Sequence, residues 1–449
     1  MNFANTIKKI TPGQLFFLLA VLIIFAGACQ KHLNPLPPGG GGGDSTHDST
    51  GDSTGGGGDS TIVVTPKDYN IFGLYAGQSA SEDIIDFTSD PRYQYNLTNA
   101  KDIALAKQYG VKYYRMQVSH DRWITDTGKT NFINYIGRVI DSSLLPVLNV
   151  NWNETDQIPD PFPDANEYRI FLTEVLDSLN ANQLKPEVIV VENEPANFNN
   201  HIIDTTTSEA LDADVKKYTD ELAAAVSVCN SYQWFDGSRG VKVTDGGYMV
   251  RQMTFVTYDW LYNVKKNYSA AKAFANNSMP PSTATDIQKK KYPDYISIRL
   301  QIAYDLMNGM KNLDLSYINL HWQEPAKIRA WDYNKEGGDP YALGINPDSV
   351  SKDVLTLVVQ YLNENLPFTV ISNEIGQLNT SVLLNQRITN YFLSFPEDVF
   401  PIVCWYDADG NYDYDVKALH NTLFDDLGKT YFEIRPNGLQ FQETIKSLK

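Results

Sequence analysis

The sequence predicts an α/β protein built on a (β/α)8 TIM barrel, and three observations support this prediction. Short apolar runs alternate with amphipathic helical stretches from Tyr69 onward, the pattern of a repeated strand–helix unit. Eight such units fit into residues 69–449, with an extended helical insertion between the fifth and sixth strands. Polar and aromatic residues follow most strands. A doubly wound open sheet is the alternative, but the Gly-rich phosphate loop expected after its first strand matches Gly73–Gly77 poorly.

Each predicted strand is a short apolar run, and each is followed by a helical pattern with a buried stripe. The predicted strands are Ile71–Tyr75, Lys112–Val118, Leu145–Val150, Val188–Val191, Val241–Thr244, Leu315–Leu320, Phe368–Ser372 and Phe400–Trp405. The predicted helices are Ala100–Tyr109, Phe132–Ser143, Asn166–Leu179, Ser208–Cys229, Ile296–Lys311, Ser349–Glu364, Leu384–Leu393 and Val416–Leu427.

The N-terminus has the features of an export signal. Two lysines precede the apolar run Leu15–Phe25, and small residues then lead to Cys29. A membrane span is the alternative, but the uninterrupted apolar run is shorter than the roughly 20 residues that cross a bilayer. Because Cys29 follows small residues as in a bacterial lipobox, we expect residues 1–28 to be removed and Cys29 to be acylated. Gln30 fits sorting to the outer membrane, facing the periplasm or the cell surface.

Residues 29–68 are predicted to be a flexible tether. From Pro35 to about Asp68 the chain consists mainly of Gly, Pro, Asp, Ser and Thr, with glycine runs that flank Asp-Ser-Thr triplets. Such a segment has little apolar area to bury. The triplets resemble the O-glycosylation signal of Bacteroidota, and a plain soluble spacer is the equally open alternative. The folded domain is therefore expected to span residues 69–449.

Composition excludes several classes of function. A formal net charge of −17 argues against nucleic-acid binding, which needs a basic surface. After Cys29 only Cys229 and Cys404 remain, and their spacing indicates neither a metal site nor a disulfide framework. The predicted domain has no Gly-x-Ser-x-Gly elbow between a strand and a helix, and the sequence has no His-Glu-x-x-His motif, which argues against an esterase or a metallopeptidase. We expect no cofactor, no metal and a monomer.

Functional groups of a (β/α)8 barrel lie at the C-terminal ends of its strands. The residues at these ends form an ordered set that is larger and more polar than turns require. In chain order they are Arg115, Gln117, His120, Asn149, Asn151, Trp152, Glu192, Asn193, Glu194, Asp245, His321, Trp322, Gln323, Asn373, Glu374, Trp405 and Asp407. The set predicts a functional site at this end of the barrel.

Five short motifs in this set resemble clan A of the retaining glycoside hydrolases, a (β/α)8-barrel superfamily of cellulase-, xylosidase- and glycosidase-like enzymes. "ENEP" after the fourth strand resembles the Asn-Glu-Pro signature, and "VISNEIGQ" resembles the strand of the catalytic nucleophile. "YYRMQVS", "YINLHWQ" and "IVCWYD" resemble the strands that carry an Arg, a His and a Trp. The motifs are short, but together they occur on the correct strands and in the correct order.

The resemblance implies hydrolysis of O-glycosidic bonds by two carboxyl groups about 5 Å apart. Glu374 is the implied nucleophile, and Arg115 is the cation expected to keep it ionised. Glu194 is the implied general acid and then base, expected to hold a proton because burial and the second carboxylate oppose its ionisation. Asn193 is expected to bind the sugar 2-hydroxyl, and Trp405 to face the sugar ring. The expected substrate-binding set also includes His321, Trp152 and Trp322.

Glu192 needs an explanation of its own. By strand parity Glu192 and Glu194 are expected to point the same way, about 7 Å apart. Glu194 then lies at the rim and Glu192 one layer deeper, where an unpaired charge is costly. We interpret Glu192 as a carboxylate behind the reacting groups, paired with a cation or bonded to polar groups of the strands. The alternative is that Glu192 itself is the acid.

Some features depart from the family pattern or have a second interpretation. Gln323 stands where many members of the clan have a Tyr that bonds the nucleophile, and a His common beyond the third strand is missing. His321 could also be a core histidine. Residues 248–312 and 322–346, with Trp331 and Tyr333, could wall a cleft or form an ordinary insertion. The leading interpretation is a lipid-anchored glycoside hydrolase with a glycan substrate, and the alternative is a glycan-binding lipoprotein without catalysis.

Overall fold

A computed structural model of the chain describes residues 66–75, 95–152, 161–197, 201–291, 294–326, 350–378, 380–406, 409–410, 418–424 and 430–448. Most of the described residues, those within 66–203 and 212–448, belong to one compact unit. The predicted signal peptide, Cys29 and the predicted tether before residue 66 lie outside the described residues, as do Trp331, Tyr333 and Asp407. Among the described helices, none is long and apolar enough to cross a membrane.

Eight parallel strands form a closed barrel, so the predicted α/β fold is confirmed. Around the barrel they are β1 (Phe72–Leu74), β2 (Tyr113–Ser119), β3 (Leu145–Asn151), β4 (Val188–Val191), β5 (Lys242–Asp245), β7 (Tyr317–Glu324), β8 (Thr369–Gln377) and β9 (Val403–Trp405). Pairing of β5 with β7 and of β9 with β1 closes the barrel. The short strand β6 (Tyr248–Met249) pairs with Leu320 and His321 in the middle of β7.

Helices connect these strands and cover the barrel. They are α1 (Tyr95–Tyr109), α2 (His120–Trp123), α3 (Asp126–Asp141), α4 (Ala165–Ala181), α5 (Ser208–Ser231), α6 (Val250–Asp259), α7 (Tyr268–Ser278), α8 (Pro281–Lys289), α9 (Asp294–Met310), α10 (Lys352–Asn365), α11 (Val382–Leu393) and α12 (Pro436–Lys446). A π-helical turn, Trp260–Val264, continues α6. The segment between β6 and β7 is thus helical in its described part.

One predicted helix is wrong. Instead of a helix over Val416–Leu427, the chain forms strand β11 (His420–Phe424), which pairs antiparallel with β12 (Thr430–Ile434) and parallel with β10 (Asp409–Gly410). The helix that follows the last barrel strand is α12, where Pro436 occupies a first-turn position that needs no backbone N–H. The apolar spacing of residues 416–427 suited either element, and tertiary pairing decided between them.

The barrel interior begins with an apolar floor. It is formed by alternate residues of the strands, namely Tyr113, Val147, Val188, Val190, Tyr317, Ile371, Ile402 and Cys404. Side chains two positions apart on a strand face the same side, so Arg115 and Asn149 follow Tyr113 and Val147 on the interior face. The apolar floor therefore places a polar layer above it, at the C-terminal mouth.

Candidate active site

Three side chains from different strands converge at the mouth of the barrel. Glu194 follows β4, while His321 and Glu374 lie within β7 and β8. One nitrogen or oxygen atom of each side chain lies within 4.8 Å of those of the other two. The two carboxyl groups thus approach to the separation of about 5 Å typical of retaining glycosidases, rather than the roughly 6.5–9.5 Å of inverting ones.

Arg115 on β2 binds the Glu374 carboxylate and joins it to neighbouring strands. Its Nη1 donates to Glu374 Oε2 at 3.0 Å, its Nη2 to Asn193 Oδ1 at 2.8 Å, and its Nε to Asn149 Oδ1 at 3.2 Å. The Arg115 side chain is only 2% exposed, so a permanent positive charge is fixed inside the mouth. The structure therefore brings together Arg115 and Glu374, the cation and carboxylate that the motifs single out.

Two tyrosines cover the Arg115 guanidinium. The rings of Tyr75 and Tyr406 stack on each other with centroids 5.3 Å apart. The guanidinium carbon lies 4.7 Å from the Tyr75 centroid and 5.4 Å from the Tyr406 centroid. Aromatic faces attract a cation at these distances, so the two rings help to fix the position of Arg115.

His321 lies between the two carboxylates. Its Nδ1 is 2.9 Å from Glu194 Oε1 and 3.3 Å from Glu374 Oε2, while its Nε2 is 2.8 Å from Asn373 Oδ1. Burial opposes protonation, but the carboxylates of Glu374 and Glu194 outweigh burial and raise the pKa of His321. Both ring nitrogens face acceptor oxygens, which fits a doubly protonated ring. His321 is therefore part of the polar site rather than an isolated core histidine.

Three buried asparagines connect Arg115 with His321. Asn373 Nδ2 donates to Asn149 Oδ1 at 3.1 Å, and Asn319 Nδ2 donates to Asn373 Oδ1 at 2.8 Å. The backbone N–H of Asn373 donates in turn to Asn319 Oδ1 at 3.0 Å. All three side chains are fully buried, so this amide layer fixes the groups above it without adding charge.

The Glu-Asn-Glu segment leaves β4 in a tight turn. β4 ends at Val191, and φ is 63° at Glu192 and 48° at Glu194, a left-handed conformation that costs a non-glycine residue roughly 1–2 kcal/mol. Hydrogen bonds from Glu192 N to Val150 O and from Glu194 N to Gly246 O, both 3.0 Å, hold the turn. The strand-parity prediction for Glu192 and Glu194 is therefore wrong, because neither residue belongs to a strand.

The turn sends Asn193 and Glu194 into the mouth. Asn193 accepts a hydrogen bond from Arg115, and its backbone oxygen lies 3.1 Å from His201 Nε2. Glu194 Oε2 accepts from Asn197 Nδ2 at 2.7 Å, and its Oε1 faces His321. The Glu194 side chain keeps 13% of its surface exposed, so it is accessible from the mouth.

Glu192 turns away from the mouth toward the outer helices. It is 1% exposed, and its Oε1 accepts from the backbone N–H of Trp152 at 2.7 Å. The neighbouring carboxyl group of Glu221 on α5 is also fully buried. Burial raises the pKa of Glu192 to about 7. Of the two kinds of partner that were predicted, a cation is not found among the described residues, and a polar backbone group directly after β3, the Trp152 N–H, is.

The end of β5 supports His321 from below. Asp245 accepts hydrogen bonds from the backbone N–H of Asn319 at 2.8 Å and of Gly247 at 3.1 Å, and burial raises its pKa to about 6. Gly247 has φ 103°, and any side chain at this position would overlap the His321 ring. Glycine is therefore required here by both backbone conformation and space.

The structure contradicts the predicted role of Trp405. This residue is fully buried, and its ring packs 5.4 Å from that of Phe441 on α12. Its neighbour Cys404 faces the barrel interior, so Trp405 faces outward by strand alternation. The next residue, Tyr406, reaches the mouth instead, over Arg115.

The other two predicted tryptophans differ from each other. Trp322 is 1% exposed, and its Nε1 donates to Glu324 Oε1 at 2.8 Å, so it cannot offer a ring face to a ligand and the prediction is wrong. Trp152 is partly exposed at the rim, where its ring stacks on His120 with centroids 4.0 Å apart. Trp152 therefore stays a candidate for contact with a ligand.

Polar atoms without partners lie on the interior face at the mouth. Gln323 Nε2 donates to Glu374 Oε1 at 3.3 Å, the contact that a Tyr makes in many members of the clan. Among the described residues, Gln323 Oε1 has no hydrogen-bond partner, and neither have Ser119 Oγ and Asn151 Oδ1 at the paired ends of β2 and β3. Buried polar groups normally have partners, so these atoms indicate where a polar ligand would bind.

Some site residues carry no recognisable signal in the sequence. Tyr406 and Glu221 were missed because one follows a more conspicuous Trp and the other lies inside a helix. Asn197 was detectable, since Pro195 turns the chain so that residue 197 returns to residue 194, with Asn197 N to Glu194 O at 2.8 Å. The distant contact of Tyr75 with Arg115 could come only from the closed barrel.

The cluster of Glu194, His321 and Glu374 has ligand types that suit a divalent cation. Arg115, in an ion pair with Glu374, already supplies positive charge beside these carboxylates. The chain itself therefore provides a cation that balances part of their charge.

No protein-family model and no curated protein match this chain. Solved structures do. A GH1 beta-glucosidase from the fungus Humicola insolens is 13% identical with a TM-score of 0.50, over 86% of this chain and 99% of that chain. The beta-glycosidase BGL167 is 10% identical with a TM-score of 0.51, over 86% and 98%. The chain has a glycoside hydrolase-like barrel. At these identities the likeness establishes the fold, and the chemistry must be argued from the residues.

Proposed function

We propose that this protein is a retaining glycoside hydrolase that cleaves O-glycosidic bonds of an oligosaccharide or polysaccharide. The observation that carries the proposal is the approach of the Glu194 and Glu374 carboxyl oxygens to within 4.8 Å at the mouth of the barrel. Both residues occupy the strand ends that a two-carboxylate mechanism uses. The low-identity fold neighbours include beta-glucosidases, which is consistent with this chemistry.

Glu374 is the proposed nucleophile. It lies on a barrel strand, and Arg115 at 3.0 Å and Gln323 at 3.3 Å orient its two oxygens. One oxygen would attack the anomeric carbon and form a covalent glycosyl–enzyme while the glycosidic bond breaks. The ion pair with Arg115 stabilises the carboxylate before attack and again when it leaves.

Glu194 is the proposed acid and base. The 2.9 Å contact with His321 Nδ1 provides a path for a proton onto Glu194 Oε1. Glu194 would give this proton to the leaving glycosidic oxygen, so the first product departs as an alcohol. Glu194 would then take a proton from the water that attacks the glycosyl–enzyme, which releases the sugar with its original anomeric configuration and frees Glu374.

The partnerless polar atoms support a polyhydroxylated ligand. Gln323 Oε1, Asn151 Oδ1 and Ser119 Oγ are buried acceptors that a sugar's hydroxyl groups can satisfy. Asn193, held by Arg115 beside Glu194, is the proposed contact for the sugar 2-hydroxyl. Trp152 at the rim and Tyr406 over Arg115 are the aromatic residues placed to meet a sugar ring.

A screen of plant, fungal and host polysaccharides, with analysis of products, tests the proposal. We expect at least one glycan to be cleaved, and the first-formed product to keep the anomeric configuration by NMR. The control is Glu194→Gln/Glu374→Gln, which keeps the shape of the site and removes both reacting groups. Binding of a glycan without any products would identify the protein as a non-catalytic glycan-binding protein and reject the hydrolase.

The location of the protein in the cell is proposed from the sequence alone. We propose that Cys29 is acylated and anchors the protein to the outer membrane, on its periplasmic or its outer side. In cells, wild type is expected in the membrane fraction, and Cys29→Ser is expected to be soluble or unprocessed. An unchanged distribution of Cys29→Ser between the fractions would reject the lipid anchor.

A further inference from the structure

Residues 245–247, which we call the β5 turn, lie between the strands that carry the two groups of the proposed proton path. They connect β5, which pairs with β4, to β6, which pairs with β7 at Leu320 and His321. Glu194 follows β4, and its Oε1 lies 2.9 Å from His321 Nδ1. The β5 turn thus adjoins both groups, although it supplies no reacting atom in the proposed mechanism.

On one side of the β5 turn, Gly246 packs against the backbone that leads to Glu194. Gly246 O accepts a hydrogen bond from Glu194 N at 3.0 Å. A Cβ atom at position 246 would lie 2.8 Å from Val191 O and 2.9 Å from the carbonyl carbon of Glu192, closer than real Cβ atoms come. Because Gly246 is not in the left-handed conformation, this close approach alone requires a glycine.

On the other side of the β5 turn, Gly247 packs against the ring of His321. Its φ is 103°, and a Cβ atom at position 247 would overlap His321 Nε2. The same Nε2 is 2.8 Å from Asn373 Oδ1, while Nδ1 at the opposite side of the ring faces Glu194. Since the ring is rigid, a displacement at Nε2 also moves Nδ1, so Gly247 limits where both nitrogens lie.

Asp245 holds the β5 turn against β7. The two strands β5 and β7 pair at Thr244 and Tyr317, and beyond this point the Asp245 carboxylate makes the connection. Its Oδ1 accepts from Asn319 N on β7 at 2.8 Å, and its Oδ2 accepts from Gly247 N at 3.1 Å. The Asp245 side chain is fully buried, so loss of either bond would take a partner from a buried N–H group, which is costly.

A tyrosine of α5 holds the β5 turn against β4. The hydroxyl oxygen of Tyr218 accepts from Gly246 N at 3.0 Å, and its O–H donates to Val191 O at 3.3 Å. Tyr218 is fully buried, so these bonds are shielded from water. Together with the bonds to Asp245, they fix the backbone of the β5 turn toward both neighbouring strands.

We propose that the β5 turn positions the acid and base of the reaction. Gly246 sets the backbone of Glu194. Gly247 sets the ring of His321, and Asp245 is the positioning residue that holds the turn itself. A proton passes between two groups only while they lie within hydrogen-bond distance, so a small displacement of either one slows the transfer. The kinetic consequences rest on the proposed function, whereas the packing consequences do not.

Asp245→Asn tests the kinetic consequence. It keeps the size of the side chain and replaces one acceptor oxygen by an NH2 group, which cannot accept from a backbone N–H. With a poor leaving group, kcat is expected to fall about 10- to 100-fold while KM stays within about threefold. With an activated aryl glycoside, which needs little acid assistance, kcat should fall less than about threefold. Asp141→Asn, at the exposed end of α3, is the control.

Gly247→Ala tests the packing directly. The added methyl group overlaps the His321 ring, so it should lower kcat and the melting temperature of wild type. Both effects should be smaller in His321→Ala, where the ring is absent. Gly237→Ala is the matched control, because Gly237 has φ 79° and nothing within 4 Å of an added Cβ. It has the cost of the backbone conformation without the overlap, and should act equally in both backgrounds.

Two results would overturn the proposal. Asp245→Asn could lower kcat by the same factor on both substrates, as a merely less stable protein would. Alternatively, Gly247→Ala could lower the melting temperature equally with and without the His321 ring. If one variant does not fold, the other still decides. If wild type hydrolyses no glycan, the hydrolase proposal fails, while the melting temperatures continue to test the packing of Gly247 on His321.

Discussion

The two carboxylates of the site are held in opposite ways. Glu374 lies within β8, is 7% exposed, and is bound by Arg115 from β2 and Gln323 from β7. Glu194 lies beyond the end of β4 in a left-handed turn, is 13% exposed, and is bound by Asn197 and His321. One is therefore fixed by the barrel itself and the other by a turn attached to it.

This difference matches the tasks proposed for them. A nucleophile must stay ionised and attack along one direction, which suits a rigid strand and a permanent cation. An acid and base must lose one proton and regain one in each cycle, which suits a group beside a titratable histidine and near solvent. The structure thus places Glu374, whose charge is fixed, within a few ångströms of Glu194, whose charge can change.

The largest expected effect comes from removing Glu374, the carboxylate that the barrel holds in a fixed position. Glu374→Gly should lower kcat about 10⁴-fold or more on every substrate, because no covalent intermediate can form. Added azide should restore turnover of an activated aryl glycoside and give a product of inverted configuration, measured by NMR. Glu364→Gly, a change at an exposed residue of α10, is the control. Full activity of Glu374→Gly would show that the reaction uses another nucleophile.

The effect of removing Glu194, the carboxyl group whose charge changes, should depend on the leaving group of the substrate. Glu194→Ala is expected to lower kcat about 10²- to 10⁴-fold on glycosides with poor leaving groups, and far less on activated ones. The basic limb of its pH profile should vanish. Glu167→Ala, an exposed change on α4, is the control. If Glu192→Gln removed the basic limb while Glu194→Ala kept it, the assignment of the two residues would be reversed.

The contribution of His321 to the free energy of unfolding should decrease as pH rises. Its pKa is raised in the folded state by Glu374 and Glu194 against the effect of burial, so its contribution is complete below the ordinary pKa of His and is lost as pH rises through the folded value. The free energy of unfolding of wild type should exceed that of His321→Gln by about 1.5–3 kcal/mol at pH 6, and less at pH 9. Denaturant titrations at both pH values measure this, and a constant difference would contradict a charged His321.

The smallest expected effect comes from removing the hydrogen bond that Asn197 donates to Glu194. Asn197→Ala removes the 2.7 Å hydrogen bond to Glu194 Oε2 at a partly exposed position. We expect kcat to fall about 3- to 30-fold with KM nearly unchanged, because the remaining bond from His321 still orients Glu194. Asn134→Ala on α3 is exposed and serves as the control. An effect as large as that of Glu194→Ala would mean that the hydrogen bond from Asn197, rather than the turn, fixes the position of Glu194.

Much of the fold and part of the site follow from local patterns. The eight strands were predictable because each is a buried apolar run, and Glu374, Arg115 and His321 were predictable because they sit at strand ends where the barrel collects its polar groups. Strand parity failed for Glu192, since β4 stops one residue earlier and the next backbone angles are left-handed. The role of Trp405 was predicted from the resemblance of its motif, and the structure instead places its ring on the outer face of the barrel, against Phe441.

The sequence by itself determined the barrel, its polar end, and the residue types that meet there, because period and strand order are properties of neighbouring residues. Only the tertiary structure decided which side chains face inward, that Tyr406 rather than Trp405 covers Arg115, and that Glu192 is bonded to the Trp152 N–H after β3 rather than to a cation. These outcomes depend on backbone angles at single residues and on contacts between distant segments. No local pattern encodes them, because each is fixed by the closure of the whole barrel.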